Sequence, residues 1–268
     1  MAIQKPRFGM VGFFDILGYQ SFLINNEPEG VALEVLNMLT KTPGRIQSYI
    51  NSKIPRLNKQ LIKKVKWFVF SDTILLTCFA TEEKIVFKTA EWLFFMLTCS
   101  LLQRNMLDFG LPIRGAITTG AFINKDYCSA GRPIVEAYQI SRDIDMAATV
   151  LSKGAHQDLI QTIEQFNSTT NEPTDLFETF IVEYLVPFKT QGPVRCPTLN
   201  FFALDSPTGQ EPTKDLTQLV FEAFWKHNKD ISSEAGRKAR NTEEYLRFLK
   251  YKYPKAFEKE KDSKKGTS

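Results

Sequence analysis

Two aspartates stand where apolar runs must turn: Asp15 closes the run VGFFDILGY, and Asp72 sits inside WFVFSDTILLTCF. Each run would bury itself, so a carboxylate at its turning point calls for a reason. Brought together at adjacent strand ends, the two carboxylates form a hard-oxygen site suited to Mg²⁺ or Mn²⁺. The chemistry this implies is metal-assisted reaction of a phosphate-bearing substrate. The bland alternative for either aspartate alone is a turn or helix cap. Two in matching contexts favour the site.

The surroundings extend the constellation. Leu17, Gly18 and Tyr19 follow Asp15 in the segment DILGY, and a glycine there lets the strand turn tightly into a helix. Backbone N–H groups of such a turn converge on one spot, which suits a phosphate chain. Asp72 lies 57 residues after Asp15, at the tip of a hairpin expected beside the first strand. Two carboxylates that close repel unless a cation neutralises them. Arg114, in IRGAITTG, falls on a strand that otherwise reads as buried and therefore needs an anionic partner. A triphosphate and an acidic side chain of the protein both satisfy that need. Arg132, Glu136, Gln139 and Arg142 follow on the next helix, with Glu136 and Gln139 spaced to share a face.

The elements that must position these residues are legible in outline. MVGFFDI reads as a buried central strand. A helix follows from about Glu29, interrupted at Thr42-Pro43-Gly44 and resumed in RIQSYINSKI. VKWFVF and TILLTCF flank Ser71-Asp72 as a hairpin with a two-residue turn. The longest helix opens at Thr81-Glu82-Glu83 and runs to about Met106. Then come strands in PIRGAITTGAFI and around Asp126-Tyr127-Cys128, and a Pro-led helix over IVEAYQISRDIDMAATVLS. The expected fold class is α+β, with helices on one face of a mostly antiparallel sheet. Further on, FIVEYLVPF and PTLNFFAL read as edge strands, LTQLVFEAFWKHN as an amphipathic helix, and Glu243 to Tyr251 as a last helix before a disordered tail, KEKDSKKGTS. Residues 1–155 are taken as the catalytic core, 156–231 as an extension of the same domain, and 232–268 as a basic helix and tail.

Composition narrows the class. Of 268 residues, 43% are hydrophobic and 24% charged, as in ordinary globular proteins. The most apolar helical stretch, residues 92–102, is far short of the roughly 20 residues of a membrane span. With no small-residue cleavage site near the N-terminus, a soluble cytoplasmic protein without a membrane partner is expected. The four cysteines lack CxxC spacing and only two histidines accompany them, so buried reduced thiols are expected rather than a zinc site. The net charge of +4 belongs to the C-terminus, since residues 236–268 carry eleven Lys and Arg against five Asp and Glu. A solvated terminus is the favoured reading, and nucleic acid is not expected as a partner.

Taken in order, FFDILGY, FSDTILL, LPIRGAITTGAF and GRPIVEAYQISRD resemble the blocks of the class III nucleotidyl cyclases over about the first 150 residues. The resemblance implies a ferredoxin-like cyclase core in which Asp15, Asp72 and the backbone carbonyl of Ile16 hold two Mg²⁺ or Mn²⁺ ions. The N–H groups of Leu17, Gly18 and Tyr19 and the Arg114 side chain would steady the phosphates. Adenylate cyclases of the class carry a lysine where this chain has Phe68, and an Asn/Arg pair that falls here near Val135 or Glu136 and at Gln139. The short DILGY and FSDTI forms, with RGAITTG and the Pro-led IVEAYQISRD, resemble the pyrimidine cyclases of bacterial Pycsar anti-phage defence. They imply UTP as substrate, with CTP as the alternative, Phe68 or Trp67 as a base-stacking residue and Arg142 as the transition-state arginine. The resemblance also implies a homodimer with sites at the interface and a separate cyclic-nucleotide-binding effector. An atypical adenylate or guanylate cyclase, and a nucleotide-binding sensor without turnover, are the competing readings.

Overall fold

The computed structural model describes residues 5–53, 59–81, 85–170, 177–203, 215–230 and 232–257. Its strands are β1 (Arg7–Ile16), β2 (Lys66–Phe70), β3 (Thr73–Phe79), β4 (Ile113–Lys125), β5 (Cys128–Gly131), β6 (Thr149–Leu151), β7 (Ile181–Phe188) and β8 (Gly192–Leu199). Its helices are α1 (Tyr19–Ile24), α2 (Leu33–Lys53), α3 (Lys59–Lys64), α4 (Ile85–Asp108), α5 (Arg132–Asp143), α6 (Lys153–Thr170), α7 (Leu216–Trp225) and α8 (Ser233–Lys252). The strands join one sheet in the order β2-β3-β1-β4-β6-β8-β7, with β5 hydrogen-bonded to β4. Every long pairing is antiparallel except the short β4/β6 contact, which is parallel. The fold class is therefore the expected α+β, with a mostly antiparallel sheet.

The continuous apolar run of β1 has its reason in this topology, since β1 lies between β3 and β4 and both its faces are covered. Met10, Phe14 and Ile16 enter a core shared with α2, α4 and α6. Val11 and Phe13 enter a second core with α5, α7 and α8. Helices thus cover both faces of the sheet, where one was expected. The second layer comes from α5 and from the C-terminal helices, whose apolar residues Val220, Phe224, Tyr245 and Leu249 are buried.

Other boundaries shift for identifiable reasons. Pro43 does not interrupt α2, which runs through it. The buried Thr42 hydroxyl donates to Met38 O within the helix, and Ile46 and Ile50 continue the buried stripe beyond the proline. The helix expected to run from Ile134 to Ser152 stops at Asp143. Ile144 is already extended, and Thr149–Leu151 pairs with Gly115–Ile117 as β6. Gly115 N donates to Ala148 O at 2.8 Å, and the Thr149 hydroxyl donates to Gln103 Oε1 at 2.6 Å. Sheet pairing with β-branched residues wins over a helical pattern there. The short strand placed around Asp126-Tyr127-Cys128 begins at Cys128, β8 begins at Gly192 ahead of PTLNFFAL, and α8 starts ten residues earlier than Glu243. Cys78 and Cys99 are buried as expected, but Cys128 is exposed and Cys196 half-buried. The helix opening at Glu82-Glu83 and the tail beyond Phe257 lie outside the described residues. Among the described residues no helix is long and apolar enough to cross a membrane.

Gly115 shows how tightly β1 and β4 approach. A Cβ there would lie 2.5 Å from Phe14 Cδ1 and 2.9 Å from the Phe13 carbonyl oxygen. Gly44, by contrast, is a helical glycine of α2 with nothing within 4 Å of a built Cβ. Gly115→Ala is expected to destabilise the protein by about 1–3 kcal/mol. Gly44→Ala should stabilise it by about 0.5–1 kcal/mol. Urea unfolding of the two variants beside the parent checks both signs.

Candidate functional site

The strand register brings the two aspartates together. Asp15 pairs with Thr73 of β3 on one side and with Arg114 of β4 on the other. Ile16 N then donates to Asp72 O at 2.8 Å, fixing the hairpin tip beside the end of β1. Phe70 pairs with Thr73, so Ser71-Asp72 is the two-residue turn read from the sequence. Ser71 sits at φ 53, an uncommon conformation for a residue with a side chain. Asp15, Asp72, Arg114, Tyr138 and Arg142 all line one open cavity of about 650 Å³.

Arg114 settles its choice of partner in favour of Asp15. Its Nε and Nη2 both lie 2.7 Å from Asp15 Oδ2, with side-chain exposures of 9% and 18%. Nη1 donates to the carbonyls of Arg142 at 3.0 Å and Ile144 at 3.2 Å, so the same guanidinium anchors the end of α5. Arg142 projects into the cavity and donates to the Tyr138 hydroxyl at 2.6 Å. That bond, and beyond it the negative charges nearby, raises the pKa of the Arg142 guanidinium. Tyr138 packs edge-on against Phe13 with ring centroids 5.4 Å apart. The Tyr19 phenol is pushed up by burial first and by the Asp72 carboxylate second.

The donor set fits a hard divalent cation. Asp15 and Asp72 face one cavity lined by neither histidine nor cysteine. Both bonds from Arg114 end on Oδ2 of Asp15, which leaves Oδ1 for a cation. Two carboxylates with the rest of the shell from substrate oxygens and water is a usual Mg²⁺ arrangement. Among the described residues no cluster of three or more His, Cys, Asp or Glu forms a larger protein cage.

The remaining sequence candidates divide. Gly18 takes φ 76 and begins α1, the turn expected of it. Gly18 and Tyr19 line the cavity, as do Ile16 and Leu17. The Leu17 N–H, however, is committed to Pro112 O at 2.9 Å and so cannot hold a phosphate. Phe68 does not line the cavity of its own chain. It pairs with Leu75, itself opposite Phe13, in a row beside the Arg114–Asp15–Thr73 row. Val135, Glu136 and Gln139 are exposed on α5, outside the cavity lining.

A whole wall of the cavity comes from residues the sequence reading passed over: Lys229, Asp230, Ser232, Glu234 and Lys238. The only sequence signal was Ser232 ahead of a helical stretch, a usual N-cap. Residues 227–230 are laced to α1 and its end. Asn25 Nδ2 donates to Asn228 O and Asp230 Oδ1, both at 2.8 Å, Asn26 Nδ2 to His227 O at 2.8 Å, and Asp230 N to Ser21 Oγ at 2.6 Å. Lys229, only 6% exposed, donates to Gly110 O at 2.6 Å and Ala223 O at 2.8 Å. Its stem lies over Gly18, 3.1 Å from where a Cβ would stand. Burial, and after it Lys226, pushes the Lys229 amine down to about 7.

No family model and no curated protein matches this chain. Among solved structures, a class III adenylyl cyclase-like ATP-binding protein from Pseudomonas aeruginosa is similar at 14% identity and a TM-score of 0.42, over 57% of this chain and 35% of that one. The chain thus spans about a third of that protein's length. The catalytic core of a rhodopsin-guanylyl cyclase with converted specificity, in complex with ATPαS, is similar at 12% identity and a TM-score of 0.40, over 74% of this chain and 97% of that one. A bacterial light-regulated adenylyl cyclase is similar at 11% identity and a TM-score of 0.37, over 85% and 59%.

Lys229 makes a prediction of defined sign. With the folded-state pKa below the unfolded one, the unfolded chain binds one more proton between the two values, so stability rises with pH across that window. Unfolding free energy should therefore increase from about pH 7 to about pH 9. Lys229→Met should remove that increase. It should also cost about 2 kcal/mol, because two buried carbonyls lose their donor. Urea titrations of both proteins at the two pH values give the answer.

Proposed function

We propose that this protein is a metal-dependent nucleotide cyclase of the class III type, acting on a pyrimidine nucleoside triphosphate. The observation that carries the reading is the meeting of Asp15 and Asp72 at adjacent strand ends, in one cavity with Arg114 and Arg142. Asp15, Asp72 and the Ile16 carbonyl are the proposed ligands of two Mg²⁺ or Mn²⁺ ions. Bound there, the ions supply charge neutralisation for the phosphates and acidify the attacking hydroxyl.

The chain's own groups do the rest. Gly18 and Tyr19 offer backbone N–H groups at the start of α1, and Arg114 and Arg142 offer positive charge beside the carboxylates. In the reaction the ribose 3′-oxygen forms a bond to the α-phosphorus while the bond to the bridging oxygen breaks. Pyrophosphate departs, and the hydroxyl proton passes to water. Arg142, anchored through Tyr138, is the proposed stabiliser of charge developing in that step.

UTP is the proposed substrate and cyclic UMP the product, with CTP and cyclic CMP as the alternative. Phe68 stands where adenylate cyclases of the class carry lysine, and it lies on β2 at the edge of the sheet, outside the lining of its own cavity. That placement favours a homodimer in which Phe68 reaches the partner's site. Exposed apolar residues near the hairpin tip, with Phe70 82% and Val69 42% exposed, fit such an interface. The product would serve as a cytoplasmic second messenger for a separate cyclic-nucleotide-binding effector in bacterial anti-phage defence. A second reading, nucleotide binding without turnover, is favoured by one observation: Arg114 already occupies an oxygen of Asp15.

Incubation of the folded protein with each of the four nucleoside triphosphates and Mn²⁺, with products resolved by mass spectrometry, tests both. Cyclic UMP from UTP is the expected product. Asp15→Ala and Asp72→Ala should each lower turnover by about 10²-fold or more with the thermal midpoint retained for Asp72→Ala. A nucleotide-dependent rise in melting temperature with no cyclic product from any substrate would establish the binding reading instead.

A further inference from the structure

The cavity wall built by the C-terminal helix gives the site a cation that the first 155 residues do not contain. Ser232 caps α8, its hydroxyl accepting from Ala235 N at 3.0 Å, and the first turn of this 20-residue helix faces the cavity. The helix is firmly mounted. Arg237 pairs with Asp145 at 2.5 Å, Asn241 Nδ2 donates to Asp145 O at 2.8 Å, and Ala147 N donates to the Thr242 hydroxyl at 2.8 Å. Asp145 follows α5 by two residues, so α8 and Arg142 hang from the same short segment.

Lys238 lies one turn into α8, 14% exposed and lining the cavity. Its Nζ holds Glu234 Oε1 at 2.6 Å, and Glu234 is 55% exposed. Two of the cations lining the cavity, Arg114 and Lys238, stand in unlike pairings. Arg114 is locked to a carboxylate 18% exposed and to two backbone carbonyls. Lys238 is held by one solvent-facing carboxylate on its own helix, an arrangement that contributes little and exchanges readily. Positive charge converges on the spot: the Lys189 amine is pushed down by burial first, then by Arg114 and Lys238. The positive end of α8 adds to it.

We propose that Lys238 binds the terminal phosphates of the nucleotide, and that Glu234 occupies Lys238 until a polyphosphate displaces it. The proposal rests on the nucleotide reading of the cavity and gives its phosphate end a residue from the C-terminal helix. No bond is made or broken; one anion replaces another on the ammonium group.

Inorganic tripolyphosphate is the probe, titrated calorimetrically into the full chain in the presence of Mg²⁺, because it needs neither base recognition nor cyclisation. Lys238→Met should weaken binding about tenfold or more, Lys238→Arg should largely restore it, and Glu234→Ala should tighten it severalfold. Circular dichroism of each variant establishes that the fold is kept. Equal affinity in Lys238→Met and the parent overturns the proposal, as does a parent that binds no tripolyphosphate. Weaker binding in Glu234→Ala overturns the displacement. In the cyclisation assay Lys238→Met should raise KM for the nucleotide with kcat much less affected. Cyclic product with an unchanged KM in that variant would sink Lys238 and leave the cyclase intact. Tripolyphosphate binding through Lys238 with no cyclic product from any nucleotide would do the reverse.

Discussion

The ion pair between Asp15 and Arg114 is the contact on which the site hangs. It joins the end of β1 to β4 at one rung of the sheet, and through the other guanidinium nitrogen it joins both strands to the end of α5. A charge this sheltered is tolerable only with a partner of opposite sign. The same pairing also aims the Asp15 carboxylate. It carries a tension as well, since a carboxylate satisfied by arginine is a weaker ligand for a cation. In the proposed reading, a cation held by Asp15 together with phosphates held by Arg114 would relieve that tension.

Much of this was legible in the residues. The apolar run of β1 and the glycine after Asp15 obey local rules strong enough to survive folding, and the apolar runs on either side fix the tight turn at Ser71-Asp72. From them the meeting of the two aspartates followed. What was not legible depended on distant partners. Whether Arg114 faced ligand or protein was decided by the Asp15 register. The fate of the Leu17 N–H was decided by Pro112, 95 residues away in the chain. The stretch after Asp143 looked helical because its apolar spacing fits a helix, and it became a strand because β4 offered an edge. Pro43 looked like a stop, yet the buried stripe on both sides of it holds α2 together.

The sheet also explains why the site is one-sided. On its α2–α4–α6 face the core is closed by Phe14, Trp92 and Phe95, all fully buried. Glu91 on that face accepts from Lys64, Thr81 Oγ1 and Thr81 N. On the opposite face the cavity opens beside the strand ends, lined by Tyr138 and Arg142 of α5 and by Glu234 and Lys238 of α8. The proposed chemistry sits in that cavity, while the packed face supplies rigidity.

The lacing of residues 227–230 to α1 has a consequence for the order in which the protein becomes competent. Its hydrogen bonds span 201 to 209 positions of the chain. The loop that follows Asp15 leaves the ribosome well before the segment that steadies it, which lies 201 to 209 positions further along the chain. During synthesis, then, a nascent chain carries its carboxylates long before it carries the wall that encloses them. A stalled product lacking residues 229–238 would therefore hold a cavity without that wall.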